Sequence, residues 1–469
     1  MAASFTQTCT ARNRDQLDAK QTSQQKDREH WGPGMGFLLA TLGSVGIGNV
    51  WRFSYVAGEN GGGAFLLVYV VMVLLVGVPL LLGEFALGRS TQREGAAAME
   101  MLAPDSRWRR VGLLGVFVAS MILAYYAVIA GWVLKYFSLY LGGSAREFAV
   151  AGFAGGFRSF IAQPVEPLVW QLAVMALTVA VVAGGIERGI EAVSKLLMPA
   201  LGLLLLALAV HSATLPGFQR GLAFLFSPDW TALTQPKVYL AALGQAFFSM
   251  GLAMGVMITY GSYLPPKRRL PGAVLTIALG DTLFAVTAGL IIFPAVFSFG
   301  LNPAQGPALA FVVLPEVFSQ MPGGAWVGAA FFALLAIAAL TSAVSLLEVP
   351  VAFAMQRFGW SRPLASLGFG SLIFALGIPA SLGYGPWAGL TTTGGRGILD
   401  LMDFITADIL RPLNGLLIAL FLGWIWPRRD AMAASDLDNS LAGKLWHVSL
   451  RYAVPLLVTL VLVSGVWGA

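Results

Sequence analysis

Gly43-Ser44-Val45-Gly46-Ile47-Gly48-Asn49-Val50-Trp51-Arg52-Phe53 interrupts an apolar segment with three closely spaced glycines, a hydroxyl and an amide. A second apolar segment is interrupted in the same way, at Gly244-Gln245-Ala246-Phe247-Phe248-Ser249-Met250-Gly251-Leu252-Ala253-Met254-Gly255. Inside a bilayer every backbone N–H and C=O needs a partner, so a broken helix survives only where it is buried or lines a cavity. Two broken helices, one in each half of a multi-span chain, point to a carrier whose binding site lies near the membrane midplane.

Composition agrees with a membrane protein. Of the 469 residues 57% are hydrophobic and only 11% charged, and mean hydropathy is +0.76; a soluble domain carries roughly a quarter charged residues. The single cysteine, Cys9, lies in a polar N-terminal stretch, which excludes a disulfide framework or a thiolate metal site. The first 30 residues have no apolar core of the kind a cleavable signal peptide needs. The net charge of +6 does not imply nucleic acid, because the basic residues sit between apolar segments.

The apolar runs predict eleven transmembrane helices, at about 34–57, 64–88, 111–140, 167–184, 190–212, 238–263, 270–298, 324–355, 363–382, 402–426 and 446–467. With the N-terminus cytoplasmic, inside segments collect Arg12, Arg14, Lys20, Lys26 and Arg28, then Arg89, Arg93, Arg107, Arg109 and Arg110. They go on to collect Lys267-Arg268-Arg269, Arg357, Arg362, Arg428-Arg429 and Lys444, whereas the outside loop of about 299–323 has no Lys or Arg. This bias puts the N-terminus inside and the C-terminus outside a cell (inner) membrane. Spans 1 and 6 then run in opposite directions. The expected fold class is an all-α membrane protein, a 5+5 inverted repeat with broken helices 1 and 6 and one extra span. The expected divisions are a cytoplasmic tail at 1–33 and one transporter domain at 34–469. That domain holds repeats at about 34–212 and 238–426 and the extra span at about 446–467.

The run Arg28-Glu29-His30-Trp31, the first broken helix and Glu59-Asn60-Gly61-Gly62-Gly63-Ala64-Phe65 resemble the neurotransmitter:sodium symporter family. The resemblance continues through Gly244–Gly255, Leu340-Thr341-Ser342 and Leu401-Met402-Asp403-Phe404, nearly the whole chain. Gly43-x-x-Gly46-x-Gly48 alone could be mistaken for a nucleotide fingerprint, but no strand precedes it. The family implies a leucine-transporter-like fold and a sodium-coupled symporter importing neutral L-amino acids by alternating access, with two sodium ions as co-substrates. The competing reading is a transporter-like sensor that binds without turnover, for which a long cytoplasmic output domain would be expected. A membrane enzyme would need a catalytic cluster, and His30, His211 and His447 are far apart.

By this resemblance, one sodium ion takes backbone carbonyls of Val45 and of Gly43 or Leu42, the carbonyl of Ala338, and the hydroxyls of Thr341 and Ser342. Sodium is a hard cation that prefers such oxygens. Taken alone, a Thr-Ser pair in an apolar helix is more simply read as bonding back to carbonyls one turn earlier. The other sodium ion meets the substrate carboxylate and takes the Ser44 carbonyl, Asn49, Ser249 and Asp281. This chain has one residue fewer between Gly43 and Gly46 than the common family pattern. Chloride is not expected. Relatives that bind it use residues matching Tyr69, Gln245 and Ser249 with an Asn and a Ser on helix 7, and Asp281 and Ala285 stand at those last two positions. Asp281 would supply the negative charge itself, and would accept a proton once sodium leaves.

The resemblance places the substrate carboxylate on Tyr126 and walls its side chain with Val45, Ile122, Phe248, Met254 and Leu346. Gly46, Gly48, Met250, Gly251 and Ser342 complete the pocket. Amine-carrying relatives have an Asp where this chain has Gly46, so an amino acid with its own carboxylate is expected. Gly251, a serine in the leucine transporter, leaves room for a large hydrophobic or aromatic side chain. Arg52 and Asp403 match the outer gate; Arg28, Trp31 and Tyr263 match the inner one. There the usual aspartate is replaced by Gln356 and followed by Arg357, so a weaker closure or another acid is expected. Glu84 would brace the broken helices, and Glu348 is read as a carboxylate satisfied by neighbouring backbone.

Overall fold

The computed structural model describes residues 29–32, 34–44, 46, 48–303, 309–392, 395–438 and 440–467. Among them nine helices are long and apolar enough to cross a membrane. In chain order with their shorter neighbours, the helices are α1 (Gly36–Ser44), α2 (Phe53–Glu59), α3 (Gly63–Thr91), α4 (Arg109–Leu141), α5 (Glu166–Ala183) and α6 (Ile186–Ala213). They continue as α7 (Pro236–Ser249), α8 (Val256–Ser262), α9 (Leu270–Ser298), α10 (Gly324–Phe358), α11 (Arg362–Leu382), α12 (Ile398–Ile425) and α13 (Leu441–Val463). The fold is all-α. Several helices start where a proline in the first turn presets the backbone, as at Pro167, Pro236, Pro271 and Pro363.

The two interrupted segments are broken as the glycines imply. Between α1 and α2 the chain passes through Gly46 at φ +33 and then a wide turn at Gly48–Arg52. Between α7 and α8 three residues in five have positive φ: Gly251 (62), Ala253 (63) and Gly255 (76). Ala253 is the costly one, since a Cβ disfavours the left-handed region. It is held at both ends. Its N–H donates to Glu84 Oε1 of α3 at 2.8 Å, and its carbonyl accepts from Asn414 Nδ2 of α12 at 2.8 Å. Strained backbone of this kind persists only where its surroundings fix it, and it gathers at functional sites.

The helices form an inner group wrapped by an outer one. The most apolar stretch of α4 is 78% buried and that of α6 only 22%. Leu196, Leu203, Leu206 and Val210 of α6 are exposed. Such a continuous apolar surface is stable only against lipid. Helices approach closely through small residues: a side chain at Gly131 of α4 would strike the Gln171 backbone, and one at Gly377 of α11 the Ala124 carbonyl. At one end of the bundle, Arg89 at the end of α3 donates to both Asp436 oxygens at 2.8 Å and to the carbonyls of Ala434 (2.7 Å) and Arg268. Asp436 also accepts the Leu270 N–H at 2.8 Å, so one clasp joins three connections.

Candidate functional site

Both helix breaks face one small cavity, bounded on other sides by α4, α10 and α12. Its walls are Gly48, Ile122, Tyr126, Phe248, Gly251, Met254, Val256, Ser342, Ser345, Leu346 and Arg411. Gly48, Ile122, Tyr126, Phe248, Gly251, Met254, Ser342 and Leu346 are thus brought together as the sequence implied. Val45 lies outside the described residues. Met250 is fully buried but does not line the cavity; it packs towards Gly77 of α3. The chain reverses at Gly251, so adjacent residues there face opposite sides. Gly46 lies under the wall, where a Cβ would collide with Ser342 Oγ and the Ala338 carbonyl. An aspartate at this position has no room.

Beside the cavity is a polar cluster of Asn49, Tyr69, Ser249 and Asp281, all fully buried. Asn49 Nδ2 donates to Asp281 Oδ1 at 2.7 Å and to its carbonyl at 3.0 Å. Tyr69 and Ser249 donate to Asp281 Oδ2 at 2.9 and 3.0 Å. Asn49 Oδ1 has no hydrogen-bond partner among the described residues. A buried carbonyl oxygen left without a donor is costly, and a cation beside Asp281 would satisfy it. The side chain of Ser44 lies outside the described residues.

A second oxygen cluster joins α1 to α10. Ser342 Oγ donates to the Gly43 carbonyl at 3.4 Å, and Thr341 Oγ1 lies 3.1 Å from the Ala338 carbonyl and 3.0 Å from that of Ile337. The back-bonding alternative is therefore realised by Thr341. Ser342 instead reaches across the break. Gly43 permits this approach, since a Cβ there would lie 3.1 Å from Thr341 Cβ.

The residues expected at the two gates are arranged differently. Among the described residues no ion pair joins Arg52 to Asp403. Arg52 Nη1 donates to Gln245 Oε1 at 2.9 Å and stacks on Phe248 at 4.8 Å, while Asp403 accepts from Tyr125 at 2.8 Å. On the other side the ties are made. Trp31 Nε1 donates to the Tyr260 carbonyl at 3.0 Å, and its N–H to that of Tyr263 at 3.2 Å. Tyr263 donates to Glu348 Oε1 at 2.6 Å, and Arg362 bridges Glu348 (2.7 Å) and Glu29 (2.9 Å). This corrects the reading of Glu348, whose carboxylate is held by side chains and not by backbone. Gln356 accepts the Glu94 N–H at 3.1 Å, and Arg28 lies outside the described residues. Glu84 is where a brace for the second break belongs, on Ala253.

Three wall residues were not anticipated: Val256, Ser345 and Arg411. Arg411 had a visible signal, a charge within an apolar span. The family motif that drew attention to α12 stops at Asp403.

Comparison with known proteins gives a consistent result. The sequence profile of the Sodium:neurotransmitter symporter family matches residues 28–144 and 160–468. The uncharacterized sodium-dependent transporter YhdH of Bacillus subtilis is 41% identical over 447 residues, 94% of this chain and 98% of its own. An uncharacterized sodium-dependent transporter of Haemophilus influenzae is 32% identical over 458 residues, 95% of this chain and 100% of its own. The crystal structure of MhsT in complex with L-phenylalanine is 51% identical, with a TM-score of 0.88 over 93% of this chain and 100% of that one. A profile matched along almost the whole chain, and a solved relative of the same fold at 51% identity, leave one reading: the chain belongs to the sodium:neurotransmitter symporter family, and is a transporter and not an enzyme.

Proposed function

We propose that this protein imports large neutral L-amino acids, hydrophobic or aromatic, by sodium-driven alternating access. The observation that carries the reading is the cavity at the two helix breaks. Its wall is mostly apolar, and it has no acid at Gly46 to neutralise a bare amine. The similar structure with bound L-phenylalanine supports an aromatic substrate. The substrate carboxylate goes to the polar end, against Tyr126 and the backbone of Gly48, where freed N–H groups favour an anion.

Two sodium ions travel with it. One sits among the Ser44 carbonyl, Asn49, Ser249, Asp281 and the substrate carboxylate. The unpaired Asn49 Oδ1 supports that placement. The other takes the carbonyls of Gly43, Val45 and Ala338 and the hydroxyls of Thr341 and Ser342. Asp281 stands in for chloride and takes a proton on the return step. Eleven spans in a 5+5 inverted repeat, with the N-terminus cytoplasmic and the C-terminus outside, fit the helix bounds and the distribution of Lys and Arg. Residues 1–33 then form a cytoplasmic tail. Arg52 with Asp403 closes the outer side; Arg28, Trp31 and Tyr263 close the inner side, with Glu348 as its acid.

Uptake of labelled L-phenylalanine into proteoliposomes tests this. An inward sodium gradient should drive accumulation that vanishes when choline replaces sodium. Equal uptake in both would refute the coupling. Binding without any accumulation would make the protein a sensor.

A further inference from the structure

Among the described residues Arg411 is the one charged side chain in the cavity wall. It is buried, and its Nε and Nη1 have no hydrogen-bond acceptor among the described residues. The guanidinium carbon lies over the Phe248 ring at 4.9 Å, a ring that Arg52 also contacts at 4.8 Å. The charged groups near it are Arg52, Asp403 and Asp408. Neither acid forms an ion pair with it among the described residues, and Asp403 is already bonded to Tyr125. An arginine stays protonated in a protein, and its N–H groups lie in the plane of the fork. A cation–π contact with the ring attracts the charge but gives the N–H groups no acceptor of the kind an oxygen provides.

A buried unpaired charge is strongly unfavourable, and hydrocarbon cargo does nothing to relieve it. An oxygen presented by the cargo does. We propose that Arg411 is a specificity-determining residue, donating from its guanidinium to an oxygen acceptor on the side chain of the transported amino acid. The proposal rests on the reading of this cavity as the amino-acid site and narrows its substrate class. Phe248 holds the guanidinium over its ring, which supplies no hydrogen-bond acceptor in the plane of the fork. Gly251 lines the same cavity as Arg411, so a side chain bound there shares its space with the guanidinium. A site with a buried donor discriminates sharply against an analogue that lacks the acceptor, because the donor is then left unpaired.

The test is competition against labelled substrate in proteoliposomes, with two near-isosteric pairs: L-tyrosine against L-phenylalanine, and L-glutamine against L-methionine. In the wild type the oxygen-bearing member should inhibit more strongly, by roughly tenfold to a hundredfold, as for hydrogen bonds to charged groups. In Arg411→Met the ratio should fall to one or below, since a hydroxyl or amide buried without a partner is disfavoured. Arg411→Lys, which keeps the charge without the fork, should give an intermediate ratio. Both inhibition constants come from one preparation, so the ratio does not depend on the fraction folded. Equal inhibition within both pairs in the wild type would overturn the proposal, even if no variant folds. So would a ratio unchanged by both substitutions, or an equal loss of all four ligands in Arg411→Lys, which would place Arg411 on the α-carboxylate or in a gate. No sodium-driven uptake of any amino acid would instead refute the transport reading.

Discussion

Glu84 accepts the backbone N–H of Ala253 at 2.8 Å, so a carboxylate on α3 holds the strained residue at the centre of the second helix break. Removing it leaves a buried N–H without a partner, which costs about 1–3 kcal/mol. Glu84→Ala should lower the melting temperature of the detergent-solubilised protein and abolish uptake. Glu84→Gln, whose amide oxygen can still accept, should keep most of the stability. Equal melting temperatures for Glu84→Ala and wild type would remove the brace from the account.

Thr341 and Ser342 face the carbonyls of Ala338 and Gly43. Replacing both by alanine withdraws two hard oxygens from one proposed ion site. Sodium should then no longer drive accumulation, although substrate binding at high sodium can persist. A double variant whose uptake rises with sodium as the wild type's does would remove that site.

Gly251 lines the cavity together with Ile122 and Leu346. Gly251→Ser fills space that a large side chain would occupy, and overpacking costs typically about 1–3 kcal/mol. Inhibition by L-tryptophan and L-phenylalanine should weaken several-fold more than inhibition by L-alanine, measured on one preparation. A uniform loss would mean that this part of the wall does not sense substrate size.

Asp281 accepts from Asn49, Tyr69 and Ser249 and fills the cluster with its own charge. Replacing chloride by gluconate should leave wild-type uptake unchanged, and Asp281→Asn should reduce it at least tenfold, an energy of about 1.4 kcal/mol. Added chloride should partly rescue the variant. A strict chloride requirement in the wild type would exclude Asp281 as the stand-in anion.

The clasp at Asp436 has a pH signature. Burial alone would raise its carboxyl pKa, but hydrogen bonds from Arg89 and the Leu270 N–H, with the Arg89 charge, hold it below the ordinary value. A depressed folded-state pKa gives stability that is present above the unfolded value, about 3.9, and is lost as pH falls through the folded one. Asp436→Asn should therefore melt below the wild type at pH 6, and the gap should close as pH drops below about 4. A gap that stays constant over that range would mean the charge contributes nothing.

Much of the fold was legible because bilayer physics leaves a strong trace. Long apolar runs marked the helices, so 270–298 is reproduced residue for residue as Leu270–Ser298. The two breaks were written in glycine. What sequence could not give was the direction of individual side chains. Met250 sits between two cavity neighbours in sequence and faces away, because positive φ at Gly251 turns the chain. Glu348 lies among apolar residues and gave no sign of Tyr263 and Arg362, 85 residues before it and 14 after it. Arg411 was visible as a charge, but its partnerless place in the wall depends on how α12 is rotated, which no local pattern records.

The two partners of the clasp, Arg89 and Asp436, lie 347 residues apart. A ribosome delivers Asp436 that many residues after Arg89, so over that stretch of synthesis this guanidinium waits for its carboxylate. The connections it gathers therefore cannot lock until α12 has been inserted. The clasp is thus a contact of the nearly assembled bundle, one that the helices before Asp436 cannot make among themselves.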